Sequence, residues 1–187
     1  MPFDDKSLQM DVYVDSDFMG IYGKELRTNP NKVKSQTGHV ISLNGCPIIW
    51  GSKLQDSAPA LSTMMAEYYA LSSTMREVLP LCETIRVLAE NLGLQQACNT
   101  DFKTTVWEDN NGCLHLANMD PGQHTPCSKF YDCKVHWFRA HLKSSQENEN
   151  GKIKVLKIDT KEQLSDLFTK PLDAATFTYL REKLMGW

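Results

Sequence analysis

The spacing of hydrophobic and polar positions changes several times along the chain, and the first third has the pattern of β-strands. Apolar residues alternate from Gln9 to about Met19, and His39–Leu43 and Cys46–Trp50 are two further β-type runs. Asn44-Gly45, between these two runs, is a strong signal for a two-residue hairpin turn. We therefore predict three antiparallel strands at the start of the domain.

The middle of the chain has a helical pattern. From Pro59 to about Leu94, apolar residues recur at steps of three and four, and Pro80 is expected to end or kink this helix. A second helical stretch then runs to a cap at Gly93. The pattern predicts two consecutive helical segments between the hairpin and the next strand.

The last part of the chain alternates between strands and helices. Residues 104–107 form a buried strand pattern that stops at 108–112, and a short helix is expected at about 113–118. A helical stripe covers 130–142, alternation at 152–158 predicts the last strand, and 161–185 forms a closing helix interrupted at Pro171. This order favours an α/β domain in which helices pack on the faces of a mixed sheet.

Length and composition indicate a single domain. The chain has 187 residues, of which 41% are hydrophobic, so it can bury one ordinary core. We expect residues 1–9 to be a polar leader and 10–187 to form the domain. No apolar run is long enough to span a membrane and the first residues are too polar for a signal peptide, so we expect no membrane association and a cytosolic location. The six cysteines form no Cys-x-x-Cys pair and fit free thiols in a reducing compartment.

The charge is divided unevenly along the chain. The net charge is −3, but residues 121–161 contain eight Lys or Arg against four acids, which leaves the remainder at −7. A basic segment beside an acidic centre is suited to holding a polyanion against metal-binding carboxylates. A lysine-rich, solvated helix face is the alternative interpretation.

Two acids in the first strand provide the first candidate for chemistry. Asp15 and Asp17 point to the same face, because side chains alternate along a strand. A buried carboxylate pair costs several kcal/mol unless cations neutralise it, which favours a metal site. If the strand end is solvated instead, the two acids need no ligand.

Three later acids each have a functional and a structural interpretation. Asp109 follows a buried strand, at the edge where open α/β sheets bind ligands, but it could equally be a helix N-cap. Glu67 lies at the border of the buried face of its helix, where a solvated flank is the alternative. Asp166 is in the first turns of the last helix, where an acid also complements the helix dipole.

Seven blocks of sequence, taken in order, resemble one family. They are residues 13–20 (YVDSDFMG), 34–38 (KSQTG), 50–55 (WGSKLQ), 66–72 (AEYYALS), 108–110 (EDN), 128–131 with 136–139 (SKFY, HWFR), and 163–172 (QLSDLFTKPL). Together they span about residues 11–187 and resemble the ribonuclease H domain of copia-type retrotransposon polyproteins. The resemblance implies a ribonuclease H-like fold: a five-stranded mixed sheet, three antiparallel strands followed by parallel ones, flanked by helices.

The resemblance also implies an activity and a cofactor. Asp15, Glu67, Asp109 and Asp166 would bind two Mg²⁺ ions, with Mn²⁺ as a substitute, and cut the RNA strand of an RNA/DNA hybrid during reverse transcription. Asp15 would be shared by both ions, Glu67 and Asp109 would favour the leaving-group ion, and Asp166 the ion that holds the attacking water. Asp17 would be only a neighbour. Oxygen ligands without His or Cys suit Mg²⁺ or Mn²⁺ and disfavour zinc.

The same resemblance suggests contacts and partners. The expected hydroxyl, phosphate or sugar contacts are Ser16, Ser35, Ser52, Gln55 and Asn110, and the expected DNA-strand contacts are Lys129, Lys134 and Arg139. A structural role remains open for each of them. The reverse transcriptase domain of the same polyprotein is the expected protein partner, and a cytoplasmic virus-like particle is the expected location of the parent element.

The chain departs from the family at a few positions. Met65 stands where many members have an extra acid, Cys127 stands where an Arg is common, and 157–161 lacks a histidine, so turnover is expected to depend on the metals alone. A non-catalytic hybrid-binding or connection domain and an integrase-like strand-transfer enzyme are alternative functions. The pairs His124/Cys127 and Cys133/His136 have a zinc-like spacing and form a rival metal site.

Overall fold

The computed structural model describes residues 8–20, 33–56, 59–93, 102–126, 128–130, 135–142 and 153–187. Nearly all of the expected leader, part of the polar loop after the first strand, Cys127, Cys133 and Lys134 lie outside the described residues.

A five-stranded mixed sheet forms the centre of the domain. Its strands are β1 (Gln9–Asp17), β2 (Gln36–Leu43), β3 (Cys46–Leu54), β4 (Lys103–Glu108) and β5 (Ile153–Lys157), in the order β3-β2-β1-β4-β5. The first three strands pair antiparallel, and β4 pairs parallel with both β1 and β5. The predicted sheet is confirmed, and β1 lies in its middle.

The turn between β2 and β3 has the geometry that its sequence predicts. Asn44 and Gly45 both have positive φ, 49° and 79°, as a two-residue hairpin turn that matches the twist of the strands requires. The Asn44 side-chain oxygen also accepts a hydrogen bond from the Gln9 backbone N–H at 2.8 Å. The turn thus joins the hairpin to the start of the central strand.

One long helix, α1 (Thr63–Asn91), replaces the two predicted segments. Ser62 caps its N-terminus by accepting a hydrogen bond from the Met65 N–H at 3.1 Å, and Gly93, with φ 71°, follows its C-cap Leu92. Pro80 lies inside the helix, on its exposed side, so the prediction of an end there is wrong. Buried residues before and after Pro80 pack on the same core, and water can solvate the carbonyl that proline leaves without a donor.

The remaining helical elements are short, and the helix expected at about 113–118 is confirmed. They are the α-helices α2 (Asn111–Ala117) and α3 (Ala174–Met185), and the 3₁₀ helices Ser128–Phe130, Trp137–His141, Thr160–Glu162 and Leu164–Phe168. The closing segment is therefore two 3₁₀ helices followed, after Pro171, by α3. None of the described helices is long and apolar enough to cross a membrane.

A single cluster of buried residues connects the sheet with α1 and α2. Its largest members come from β1, β2, α1, α2 and the segment 137–142, and include Met10, Ile41, Tyr68, Leu71, Met75, Leu116, Phe138 and Leu142. Val12 and Val14 supply the inward face of β1. Because this face packs into the core, β1 is held in place by core contacts as well as by hydrogen bonds to both neighbouring strands.

Candidate active site

Three acids meet at one edge of the sheet. Asp15 comes from β1, Glu67 from the first turns of α1, and Asp109 from the residue after β4, and one carboxylate oxygen from each lies within 4.8 Å of the others. Asp15 and Glu67 are 0% and 4% exposed, so water cannot screen their mutual repulsion well. Such a cluster is stable when a cation or protons neutralise it.

Glu67 has the features in this cluster that best fit a cation site. Its Oε2 atom is buried and has no hydrogen-bond donor among the described residues. Burial raises the pKa of Glu67 well above its usual value, and the charges of Asp15, Glu108 and Asp109 raise it further. A divalent ion would supply the missing partner for this oxygen, and an all-oxygen donor set is the set that Mg²⁺ and Mn²⁺ prefer.

The backbone around Asp109 is held from both sides. The Lys157 ammonium donates a hydrogen bond to the Asp109 carbonyl, and the Ile158 N–H donates to the Glu108 carbonyl at 3.1 Å. Asn110 caps α2, since its side-chain oxygen accepts the Cys113 N–H at 3.0 Å. The cap predicted as an alternative for Asp109 thus belongs to its neighbour, and the Asp109 carboxylate is left facing the cluster.

Glu108 is a fourth acid near this centre that the sequence interpretation missed. It is the last residue of β4, is 0% exposed, and accepts hydrogen bonds from the Asn110 N–H at 2.9 Å and from the Cys113 thiol at 3.3 Å. Burial is the main reason why its pKa rises to about 8. The signal was present in the sequence, because Glu108 continues the buried alternation of Thr104 and Val106.

Asp166 joins the centre through a lysine. It lies in the 3₁₀ helix Leu164–Phe168, and its Oδ1 is 2.8 Å from the Lys170 ammonium, which is also 2.9 Å from Asp15 Oδ1. The Thr169 hydroxyl donates to the other oxygen of Asp15. Burial and the nearby Asp15 raise the pKa of Asp166 to about 6, although Lys170 opposes the shift. All four predicted acids therefore come together, but Asp166 is not part of the compact group of three.

Lys170 lies in the sequence block 163–172 but had no predicted role. Burial lowers the pKa of its ammonium, but the charges of Asp15 and Asp166 raise it more, so the net shift is upward. Its contact with Asp166 follows from a spacing of four residues, but its contact with Asp15 depends on the tertiary fold and no sequence signal showed it.

Asp17 lies on the rim, as expected for a neighbour. It lines an open cleft of about 460 Å³ together with Glu67, Asp109 and Lys170. A Cβ added to Gly20 would lie 1.5 Å from Asp17 Oδ2, so the turn after β1 packs directly against this carboxylate. The cleft leads from the protein surface to the acids.

Two of the predicted hybrid contacts line this cleft. Ser16 directly follows Asp15, and its buried hydroxyl has no hydrogen-bond partner among the described residues. Asn110 lies beside Asp109 and also caps α2. Both positions are compatible with the predicted contact to a substrate.

The structure gives internal hydrogen bonds to two other predicted contacts. Gln55 is buried and donates to Thr37 Oγ1 at 3.1 Å and to the Ala66 carbonyl at 2.8 Å, next to Glu67. Ser52 Oγ accepts from the Gln36 side chain at 2.8 Å and donates to the Phe168 carbonyl. These bonds hold the segments that carry Glu67 and Asp166.

The remaining predicted contacts differ in exposure. The Ser35 hydroxyl is buried, and Lys129 is exposed in the 3₁₀ helix Ser128–Phe130. Arg139 is only 2% exposed, and its guanidinium donates to the carbonyls of Met119, Asp120 and Gln123. The prediction of a DNA-strand contact at Arg139 is therefore corrected: its donors are used inside the fold to hold the loop after α2.

The rival zinc site can be followed only in part. His136 Nδ1 is 2.9 Å from the Tyr68 hydroxyl and its ring packs against the Tyr68 ring, while His124 is exposed. The two cysteines of that alternative lie outside the described residues. Within the described part of the chain, the group of acids is the cluster with metal-binding geometry.

The strand order, strand directions and acid positions define an α/β domain of the ribonuclease H-like class. No protein-family model matches the chain. The chain is 31% identical over 149 residues to the retrovirus-related Pol polyprotein from transposon TNT 1-94 of Nicotiana tabacum, a match that covers 80% of this chain and 10% of the relative.

Two further relatives and one solved structure also match the chain, the structure at a lower sequence identity. The Pol polyprotein from transposon RE2 of Arabidopsis thaliana is 28% identical over 178 residues, 95% of this chain and 10% of the relative. The Ty1-DR5 Gag-Pol polyprotein of Saccharomyces cerevisiae is 28% identical over 153 residues, 80% of this chain and 8% of the relative. The structure of LC11-RNase H1, isolated from compost, is 16% identical with a TM-score of 0.49, over 86% of this chain and 92% of that one.

The chain matches segments of retrotransposon Pol polyproteins, which confirms the family resemblance of the sequence blocks. It spans about a tenth of the length of these curated relatives.

Proposed function

We propose that this domain is a metal-dependent endoribonuclease that hydrolyses the RNA strand of RNA/DNA hybrids. The observation that carries the proposal is that carboxylate oxygens of Asp15, Glu67 and Asp109 lie within 4.8 Å of one another. Asp15 and Glu67 are buried, and Glu67 and Asp109 line an open cleft. A purely structural cluster of this kind would destabilise the fold, whereas a phosphodiester hydrolase needs it to hold cations.

The chain's own residues would hold and orient the reacting groups. Asp15, Glu67 and Asp109 would hold Mg²⁺ or Mn²⁺, and Asp166 would complete the set of four acids for a second ion. Bound divalent ions would lower the pKa of water and neutralise charge on the scissile phosphate. The rigid position of β1 and the fixed backbone at Asp109 would keep these acids in place during turnover, so that little reorganisation is needed.

The hybrid substrate is proposed from the family and the shape of the site. The relatives are Pol polyproteins, and the ribonuclease H-like fold brings the acids to an open cleft rather than to an enclosed pocket. Ser16 and Asn110 line the cleft, and in this proposal they contact the sugar and phosphate groups of the strand being cut. Such contacts read backbone and 2′-hydroxyls instead of base sequence.

The proposed context is that of the whole polyprotein. The reverse transcriptase domain would be the partner that presents the hybrid, and the parent element would act in a cytoplasmic virus-like particle. These two proposals rest on the family alone.

A cleavage assay with end-labelled duplexes tests the proposed activity. The wild type is expected to cut the RNA of an RNA/DNA hybrid in Mg²⁺ or Mn²⁺, and to leave RNA/RNA and DNA/DNA duplexes intact. Asp109→Asn should reduce the rate by several orders of magnitude because it removes a charged ligand. A wild type that binds hybrid but never cuts it would indicate a non-catalytic binding domain, and cutting or joining of DNA/DNA would indicate a strand-transfer enzyme.

A further inference from the structure

The centre described above contains one cation of its own. The Lys170 ammonium lies between Asp15 and Asp166, at 2.9 and 2.8 Å from one oxygen of each. The Lys170 side chain is 31% exposed, so it also faces the cleft and can leave the pair without unfolding the chain. Asp166 reaches the other acids through this ammonium.

The segment that carries Lys170 is anchored, so the position of the ammonium is not accidental. The buried Gln163 side chain donates to the Val14 carbonyl at 2.9 Å and to the Trp107 carbonyl at 3.4 Å, which ties the segment to β1 and β4. The Lys170 N–H donates to the Asp166 carbonyl at 3.1 Å, which closes a turn between the two residues. The backbone therefore presents the lysine to both carboxylates.

The centre has two halves that share Asp15: the first contains Glu67 and Asp109, and the second contains Asp166. They differ in the positive charge that neutralises the acids. Asp15, Glu67 and Asp109 form the compact group, in which Glu67 Oε2 lacks a partner. Between Asp15 and Asp166, in contrast, a positive charge is already in place, and the second Asp15 oxygen accepts the Thr169 hydroxyl. A divalent ion in the first half shares only Asp15 with the ammonium, because Lys170 bonds neither Glu67 nor Asp109. An ion in the second half competes with the ammonium at both Asp15 and Asp166.

We propose that Lys170 is a positioning residue that takes one of the two cation places in the free domain. This role rests on the proposed nuclease function. In it, one divalent ion binds strongly, through Asp15, Glu67 and Asp109. A second ion at Asp15 and Asp166 binds weakly until Lys170 moves away. A substrate phosphate at the cleft is the natural acceptor for the displaced ammonium, so the hybrid would favour loading of the second ion.

Titration of the intact chain with Mn²⁺ in the absence of nucleic acid tests this arrangement. Calorimetry, or electron paramagnetic resonance of free Mn²⁺, should find one strong site in the wild type. In Lys170→Met the second ion should bind at least tenfold more tightly, while Lys170→Arg should resemble the wild type. Lys154→Met, which removes an exposed lysine of β5, is the matched control and should change nothing.

A measurement on the wild type covers the case in which Lys170→Met does not fold. The Lys170 ammonium should keep its contact with Asp166 through the first equivalent of Mg²⁺, seen as slow exchange of its ammonium protons in nuclear magnetic resonance, and lose it only at higher concentrations. Loss of the Asp166 contact with the first equivalent, two equally strong sites in the wild type, or an unchanged second site in Lys170→Met would overturn the inference. Ion counting needs no cleavage, so an inactive domain with the expected titration would contradict the nuclease proposal alone.

Discussion

Gly38 and Thr169 approach each other so closely that a Cβ on Gly38 would lie 2.5 Å from the Thr169 methyl group. Gly38 pairs with Asp15 across β1 and β2, and Thr169 donates a hydrogen bond to the same Asp15. The same Cβ would also lie 3.0 Å from the Ser165 carbonyl. The absence of a side chain on β2 thus allows the Asp166 segment to pack against the sheet.

Gly38→Ala should therefore weaken both the fold and the site. We expect a loss of about 1–3 kcal/mol in the free energy of unfolding, typical of an overpacked contact, and a clear loss of hybrid cleavage. Denaturant unfolding and the cleavage assay measure the two effects. Gly51→Ala is the control: its Cβ would meet the end of the His39 ring, which can move, so cleavage should survive.

Glu67→Gln should stabilise the free domain and abolish its response to metal. The pKa of Glu67 is raised by burial and by neighbouring acids, so its charged form is unfavourable in the free domain and a neutral amide avoids that cost. The melting temperature in EDTA should rise, and the increase produced by Mg²⁺ in the wild type should disappear. An unchanged metal response in this variant would show that Glu67 does not bind the ion.

Glu108 should make stability depend on pH. Its pKa is about 8 in the folded chain against an ordinary 4.5, so the folded state holds a proton that the unfolded chain releases. This proton contributes several kcal/mol to the free energy of unfolding. The contribution is fully present below about pH 4.5 and is lost as the pH rises towards 8. Glu108→Gln should flatten this part of the pH profile in chemical denaturation, whereas Glu90→Gln, on the exposed face of α1, should leave it unchanged.

Loss of Arg139 should lower stability, whereas loss of Lys129 should change the binding of hybrid. Arg139→Ala removes the buried guanidinium that donates to three carbonyls and should cost about 2–4 kcal/mol of stability. Lys129→Ala should leave stability within about 0.5 kcal/mol and, if Lys129 contacts a phosphate, reduce the salt dependence of hybrid binding by about one unit of slope. Binding titrations at several salt concentrations separate the two, and a changed slope in a folded Arg139 variant would contradict its internal role.

Gln163 should be needed to place Asp166. Gln163→Leu preserves volume but removes the donor to the Val14 and Trp107 carbonyls. We expect a loss of about 1–3 kcal/mol and weaker binding of the second ion, because the segment is released from β1 and β4. Hydrogen exchange of the Asp166 and Lys170 amides should accelerate, and exchange as slow as in the wild type would show that other contacts hold the segment.

The sequence predicted the sheet well because its signals were local. Alternation in β1 and the Asn44-Gly45 turn depend on neighbouring residues, and both were confirmed. Pro80 was misjudged, because burial on both sides of it outweighs the local cost of a proline. Secondary structure followed the pattern except where tertiary packing dominated.

The acids of the site could be named from the sequence, but their surroundings could not. Asp15, Glu67, Asp109 and Asp166 were chosen from their places on elements and from the family, and the fold brings them together. Arg139 was misassigned because only the tertiary fold shows which carbonyls face it. Lys170 had no predicted role because its contact with Asp15 joins residues 155 positions apart.

The four acids come from four segments of the chain, between positions 15 and 166, and this spread links metal binding to folding. A partly folded chain in which the segments of Asp15, Glu67 and Asp109 are apart has no strong site, so divalent ions should bind the native state in preference to such forms. Mass action then makes Mg²⁺ a stabiliser of the finished domain, whose effect grows with the logarithm of its concentration. Metal binding would thus report that the separate segments carrying the acids have come together in the folded domain.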